Sequence, residues 1–153
     1  MAEKPVYGRN MVVGIFGRKS EPWYAAGLQF ECRQCGRCCG GAPGYVFVTQ
    51  DEIWAIAAHL EVSLEDFMGR HVRKTRRGFS LVEQAGGDCA LLDGGKCRVY
   101  PVRPTQCRTW PFWPTNLANR RAWNRAARRC PGIGSGTLHP LDEIETKRSA
   151  LLL

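Results

Sequence analysis

The stretch "CRQCGRCCGG" sets four cysteines, Cys32, Cys35, Cys38 and Cys39, within eight residues and follows them with glycine. Four more lie downstream, at Cys89, Cys97, Cys107 and Cys130. Thiols so crowded need a purpose: a disulfide framework, a reactive thiol or a metal. Eight cysteines in 153 residues fall below the roughly 8–10% of a disulfide-stapled scaffold, and the chain is long enough to bury a core without staples. The start shows one short apolar run, Met11 to Phe16, interrupted by Gly14 and closed by Arg18 and Lys19. A secretory leader needs a longer apolar stretch and a small-residue cleavage site. No segment approaches the roughly 20 apolar residues of a membrane helix. The expectation is a cytoplasmic protein with reduced thiols and no membrane partner.

C-x2-C spacing lets two sulfurs of one turn reach the same metal while loop amides point at them, and glycine gives such loops their backbone freedom. Two overlapping units, at Cys32, Cys35 and Cys38, resemble the way ferredoxins present ligands to an iron–sulfur cluster; Cys130–Pro131 adds the one Cys-Pro pair. The later spacings match neither a zinc ribbon nor a C2H2 finger. Neighbouring side chains diverge in helix and strand, so Cys38 and Cys39 are expected to serve two centres, or two metals of one cluster. An all-sulfur donor set excludes magnesium and calcium and suits zinc, iron–sulfur or copper(I), with copper last for want of a methionine-rich element. Near the later cysteines, Trp110, Phe112 and Trp113 can exclude water, and Arg103 and Arg108 can donate to thiolate or sulfide.

Elsewhere the pattern predicts a small α+β domain of short helices, β-hairpins and long cysteine-bearing loops. Residues 1–27 read as an irregular lead-in, with Trp23 and Tyr24 anchoring its end, and 28–153 as the cysteine-cluster domain. Thr49 and Glu52 form a capping-box signature for a helix through Leu60, with Ile53, Ile56, Ala57 and Leu60 on its buried face. Ser63 and Asp66 open a second, short helix. Hairpins are predicted around Arg77–Gly78 and Asp93–Gly95. Prolines 101, 104, 111 and 114 predict a stiff, largely extended strap. Helices follow over 116–130, stopped by Pro131–Gly132, and from about Pro140 to the end.

The formal charge of +8 counts every cysteine as neutral, and it would halve if all eight were thiolates around two divalent ions. Basicity alone therefore does not imply nucleic acid. The arginine-rich "VRKTRR" and "RRAWNRAARR" keep that partner as an alternative, with Arg121, Arg125, Arg128 and Arg129 on roughly one helical face. No base-reading motif accompanies them, and a solvated helix end offsetting thiolate charge is the preferred reading. His59, His71 and His139 have no recognisable catalytic partner, no phosphate-binding loop is present, and "GIGSG" follows a helix rather than a strand. No catalytic constellation emerges.

"CRQCGRCCGG", "DCALLDGGKCRVYPVRPTQCRTWPF" and "CPG", over about Leu28 to Gly136, together resemble the bacterial CxxCxxCC cysteine-cluster family (YkgJ-type) of zinc- or iron-chelating domains. The resemblance implies all eight cysteines as ligands, with Tyr100, Arg103 and Pro104 as supporting residues. The expected function is a metal-binding protein holding an iron–sulfur cluster, ahead of zinc, in one or two centres. Its role would be electron transfer, redox sensing or metal and cluster handling, with an unidentified protein partner. The alternative is a zinc-stabilised module that binds nucleic acid or protein through the arginine-rich helix.

Overall fold

The computed structural model describes residues 21–41 and 43–151. The Met11–Phe16 run lies outside the described residues. The described residues form an α+β fold of short antiparallel sheets and six α-helices. No helix among the described residues is long and apolar enough to cross a membrane.

Strand β2 (Val46–Val48) leads into helix α1 (Gln50–His59). The capping box is formed: the Glu52 amide donates to Thr49 Oγ1 at 3.2 Å, and the Thr49 amide donates to the Glu52 carboxylate at 2.9 Å. Ser63 caps helix α2 (Leu64–His71) in the same way, accepting from the Asp66 amide at 3.1 Å. Strands β3 (Val72–Thr75) and β4 (Gly78–Leu81) form the predicted first hairpin. With β2 they make a three-stranded antiparallel sheet of order β2-β4-β3. Alternation along these strands turns Val48 and Leu81 inward onto Ile53, Ile56 and Phe67, which are fully or almost fully buried. The second hairpin, β5 (Leu92–Asp93) and β6 (Lys96–Cys97), turns at Gly94–Gly95. It contributes Leu91 and Val99 to this first core.

The proline-rich segment is not an extended strap. It folds as three single turns: a 3-10 turn over Tyr100–Val102, helix α3 (Thr105–Arg108) and helix α4 (Pro114–Leu117). The prolines do not oppose this, because they stand at the turns' starts. Pro101 and Pro114 occupy first-turn positions and Pro104 precedes α3, where no helical N–H is needed. They limit each helix to one turn and do not forbid helix.

Helix α5 (Arg120–Arg129), capped by the Asn119 side chain, and helix α6 (Leu141–Ser149) flank strand β7 (Ile133–His139). β7 contains the "GIGSG" stretch and pairs antiparallel with β1 (Leu28–Phe30). A second core forms here from Tyr24, Phe112, Leu117, Trp123 and Ile144. Tyr24 is buried and its hydroxyl donates to Glu145 at 2.6 Å; the Trp23 indole donates to the Leu117 carbonyl at 2.8 Å. His139 joins β1 to α6, its ring nitrogens 3.0 Å from the Phe30 carbonyl oxygen and 2.8 Å from Glu143. That is a structural histidine.

Candidate metal centre

Between the two cores lies a cavity of about 90 Å³ whose wall includes all eight cysteines. Leu81, Leu91 and Val99 of the first core line one side, and Phe30, packed on the second core, lines another. Cysteines separated by up to 98 positions in sequence thus meet at one place.

Three chain segments interlock to build it. The first loop, residues 31–39, turns at Gly36, whose φ of +71° suits glycine, and the Cys39 amide closes the turn by donating to the Gly36 carbonyl at 2.9 Å. A β-carbon at position 36 would collide with the Gly95 carbonyl, so the first loop rests directly on the second hairpin's turn. The Cys89 amide then donates to the Cys39 carbonyl at 2.7 Å. On the other side the Glu31 amide donates to the Gly132 carbonyl at 3.1 Å, bringing Cys130 to the first loop. Cys107 comes from α3, which is pinned by Glu52: its carboxylate accepts the Thr105 amide at 2.6 Å and the Thr105 hydroxyl at 2.7 Å.

The donor set fits a soft metal. Cys38 and Cys39 do not diverge; their sulfurs lie 3.9 Å apart. They sit in a turn, neither helix nor strand, so the side-chain geometry of regular elements does not apply to them. Two sulfurs bound to one tetrahedral zinc at about 2.3 Å stand roughly 3.8 Å from each other. Backbone amides also serve the sulfurs two residues before them: Gln34 N–H donates to Cys32 Sγ at 3.4 Å, and the Leu91 and Val99 amides favour the thiolates of Cys89 and Cys97. The Trp110 indole lines the same cavity, and its buried Nε1–H has no hydrogen-bond partner. A buried donor without a partner is costly, and an anionic sulfur would satisfy it. Among the described residues no three Cys, His, Asp or Glu side chains already close on a single point as an ion site. The eight converge on one space instead.

The electrostatics centre on Cys38. Hydrogen bonding from Cys39 brings its thiol down to about 7, with Arg103 and Arg129 adding to the shift against burial. Its donor role and burial push Cys39 up. Burial raises Cys89 and Cys97, and raises Cys107 to about 12, with Cys38 and neighbouring thiolates adding to each. Arg103 opposes the rise at Cys97 and Cys107. Partly buried thiols that repel one another once ionised gain from a cation that neutralises them together. Cys32, Cys35 and Cys38 are exposed and the other five are half-buried, so one side of the cavity faces solvent.

The supporting residues divide. Arg103 lies over the Tyr100 ring at 3.8 Å and donates to the Tyr100 carbonyl at 2.6 Å, which fixes its guanidinium beside the sulfurs. The nearby Cys32 thiol and burial push the Tyr100 hydroxyl up. Arg108 also lines the cavity, and its guanidinium donates to the Arg103 carbonyl at 3.0 Å and Thr105 Oγ1 at 2.8 Å. Phe112 belongs to the second core, and the Trp113 indole donates to the Gln106 carbonyl at 2.9 Å, so of the three aromatics only Trp110 lines the cavity. Arg129, which the sequence offers as part of a cationic helix end offsetting thiolate charge, lines the cavity, adds to the field at Cys38 and donates to the Gly40 carbonyl at 3.1 Å.

Comparison with known proteins agrees with this geometry. An uncharacterized protein of Methanocaldococcus jannaschii is 34% identical over 91 residues, covering 58% of this chain and 48% of its own length. The chain thus spans about half of that relative. No solved structure matches significantly. The family model described as "Putative zinc- or iron-chelating domain" matches residues 31–131, a span that contains every cysteine. The chain belongs to the CxxCxxCC family.

Proposed function

We propose that the eight cysteines hold a polynuclear metal centre, an iron–sulfur cluster ahead of zinc, and that the protein handles or exchanges that metal. The observation that carries this reading is the convergence of all eight thiols on one cavity. One tetrahedral ion uses four donors, so a single space walled by eight suits more than one metal. Bound there, the metal would supply redox capacity if iron–sulfur and a fixed scaffold if zinc. The residues' own contributions are separable. Cys39, Cys89, Cys97, Cys107 and Cys130 provide the half-buried donors, Arg103 offsets charge at Cys97 and Cys107, and Trp110 lines the same cavity with a buried, unpaired N–H. The exposed Cys32, Cys35 and Cys38 favour exchange over permanent burial, because an incoming donor can reach them.

Anaerobic purification followed by absorption spectra and measurement of iron, sulfide and zinc per chain tests the reading. Brown charge-transfer absorption with matched iron and sulfide supports the cluster. Colourless protein with stoichiometric zinc removes it and leaves the zinc centre.

A second reading has its own observation. Arg121, Arg125, Arg128 and Arg129 are exposed on α5, and none enters an ion pair among the described residues. An unneutralised cationic helix face can lie along phosphates. Oligonucleotide binding that weakens steeply with salt would support it.

A further inference from the structure

A second cleft, of about 490 Å³, adjoins the cysteine cavity. Its walls are the end of α5, carrying Arg128 and Arg129, the glycine turns at Gly36, Gly40, Gly41 and Gly95, and the Arg37 side chain. Cys35, Gly36, Arg37 and Arg129 line both spaces. The cleft therefore borders the cysteine cavity at Cys35, one of the exposed thiols. Three guanidinium groups face it against one carboxylate, Asp88. That carboxylate is turned to the loop backbone, with Oδ1 3.4 Å from the Gly41 amide nitrogen, and a β-carbon on Gly40 would approach it to 2.6 Å. Arg129 is partly engaged with the Gly40 carbonyl. Arg37 and Arg128 are exposed and enter no ion pair among the described residues.

We infer that this cleft is a port for a small polycarboxylate, the anionic chelate in which a metal ion reaches or leaves the cysteine cavity. The inference rests on the metal-handling reading of that cavity. Its volume is that of a small-molecule site. Arginine is the side chain best suited to carboxylate, through paired N–H donors. Of the four glycines only Gly95 has open space where a side chain would stand. A cation wrapped in carboxylates carries net negative charge, so the arginines attract the complex that a bare divalent ion's charge would keep away. Docked there, the chelate sits beside Cys35, whose thiolate can replace one carboxylate oxygen on the ion. One metal–sulfur bond forms as one metal–oxygen bond breaks, the thiol proton passes to solvent, and no electron is transferred.

The test is calorimetric titration of the metal-loaded, anaerobically prepared protein with citrate at fixed ionic strength, on wild type, R128Q and R37Q/R128Q. Arg128 lines the cleft and not the cysteine cavity. Saturable binding is expected, about tenfold weaker in R128Q and weaker again in the double variant, as loss of charge-assisted bonds implies. Citrate should also speed transfer of metal from wild type to an external chelator, and do so less in R128Q. The inference is overturned by citrate that fails to saturate or binds the double variant as tightly as wild type. A glutamate-rich peptide that binds when citrate does not overturns it too, assigning the arginines to a protein partner. Metal and sulfide are measured on the same samples, so a chain without metal defeats the metal-handling reading and is distinguishable from a loaded chain that ignores citrate.

Discussion

The Cys89 amide donates to the Cys39 carbonyl across 2.7 Å, a backbone bond that fastens the first cysteine loop to the second. Because it spans two ligand-bearing segments, the sulfur positions depend on the loops' mutual fit as much as on either loop. Gly36 against Gly95 and Gly132 against Glu31 complete that fit.

Replacing Gly36 with alanine is expected to separate these loops. The residue has φ +71°, and its new β-carbon would strike the Gly95 carbonyl. A left-handed non-glycine residue costs about 1–2 kcal/mol and overpacking about 1–3 kcal/mol, so the loss should reach roughly 2–5 kcal/mol. Denaturant melts should show the loss, and metal content should fall with it.

Serine substitutions should rank the ligands. Cys38 bears electrostatically on Cys39, Cys89, Cys97 and Cys107, whereas Cys130 enters none of these couplings although it lines the cavity. Cys38→Ser is expected to abolish metal retention and Cys130→Ser to reduce it. Metal per chain, measured after exchange into chelator-containing buffer, reads the difference.

Trp110→Phe should keep the fold and weaken the centre. The change removes an N–H that has no protein partner together with part of the ring that packs on Trp113, so the metal-free chain should lose about 1 kcal/mol and still fold. Loss of an outer-shell donor typically costs 10–100-fold in metal affinity. Competition with a chromophoric chelator measures that, and unchanged affinity would mean the indole does not serve sulfur.

Glu52 should give the fold an acid-side pH dependence. Burial would raise its pKa, but hydrogen bonds from Thr105 and the Thr49 and Thr105 amides hold it below its ordinary 4.5. A depressed carboxylate contributes stability above the unfolded-state value and loses it as pH falls through the folded-state value. Glu52→Gln is thus expected to cost about 1–3 kcal/mol near neutrality, with the gap from wild type closing below pH 4.5. Urea melts at several pH values show whether the gap closes.

Local signals in the sequence were dependable where a few residues decide the outcome. The Thr49–Glu52 and Ser63–Asp66 caps place α1 and α2, and the glycine turns place both hairpins. What escaped depends on distance. β7 alternates glycine with mixed residues and shows no strand pattern; it becomes a strand because β1, more than a hundred residues earlier, pairs with it. Glu52 reads as a capping residue, and its second role, holding α3 through Thr105, needs a partner 53 residues away. The cysteines themselves were legible one by one. Their convergence was not, because it is set by the Gly36–Gly95 and Glu31–Gly132 contacts between segments.

X-ray absorption at the metal edge of anaerobically purified protein tests most directly whether these thiols are the ligands. A first shell of sulfur alone, near 2.3 Å, is the predicted result. A folded chain with no metal edge, or a first shell of nitrogen and oxygen, would contradict it.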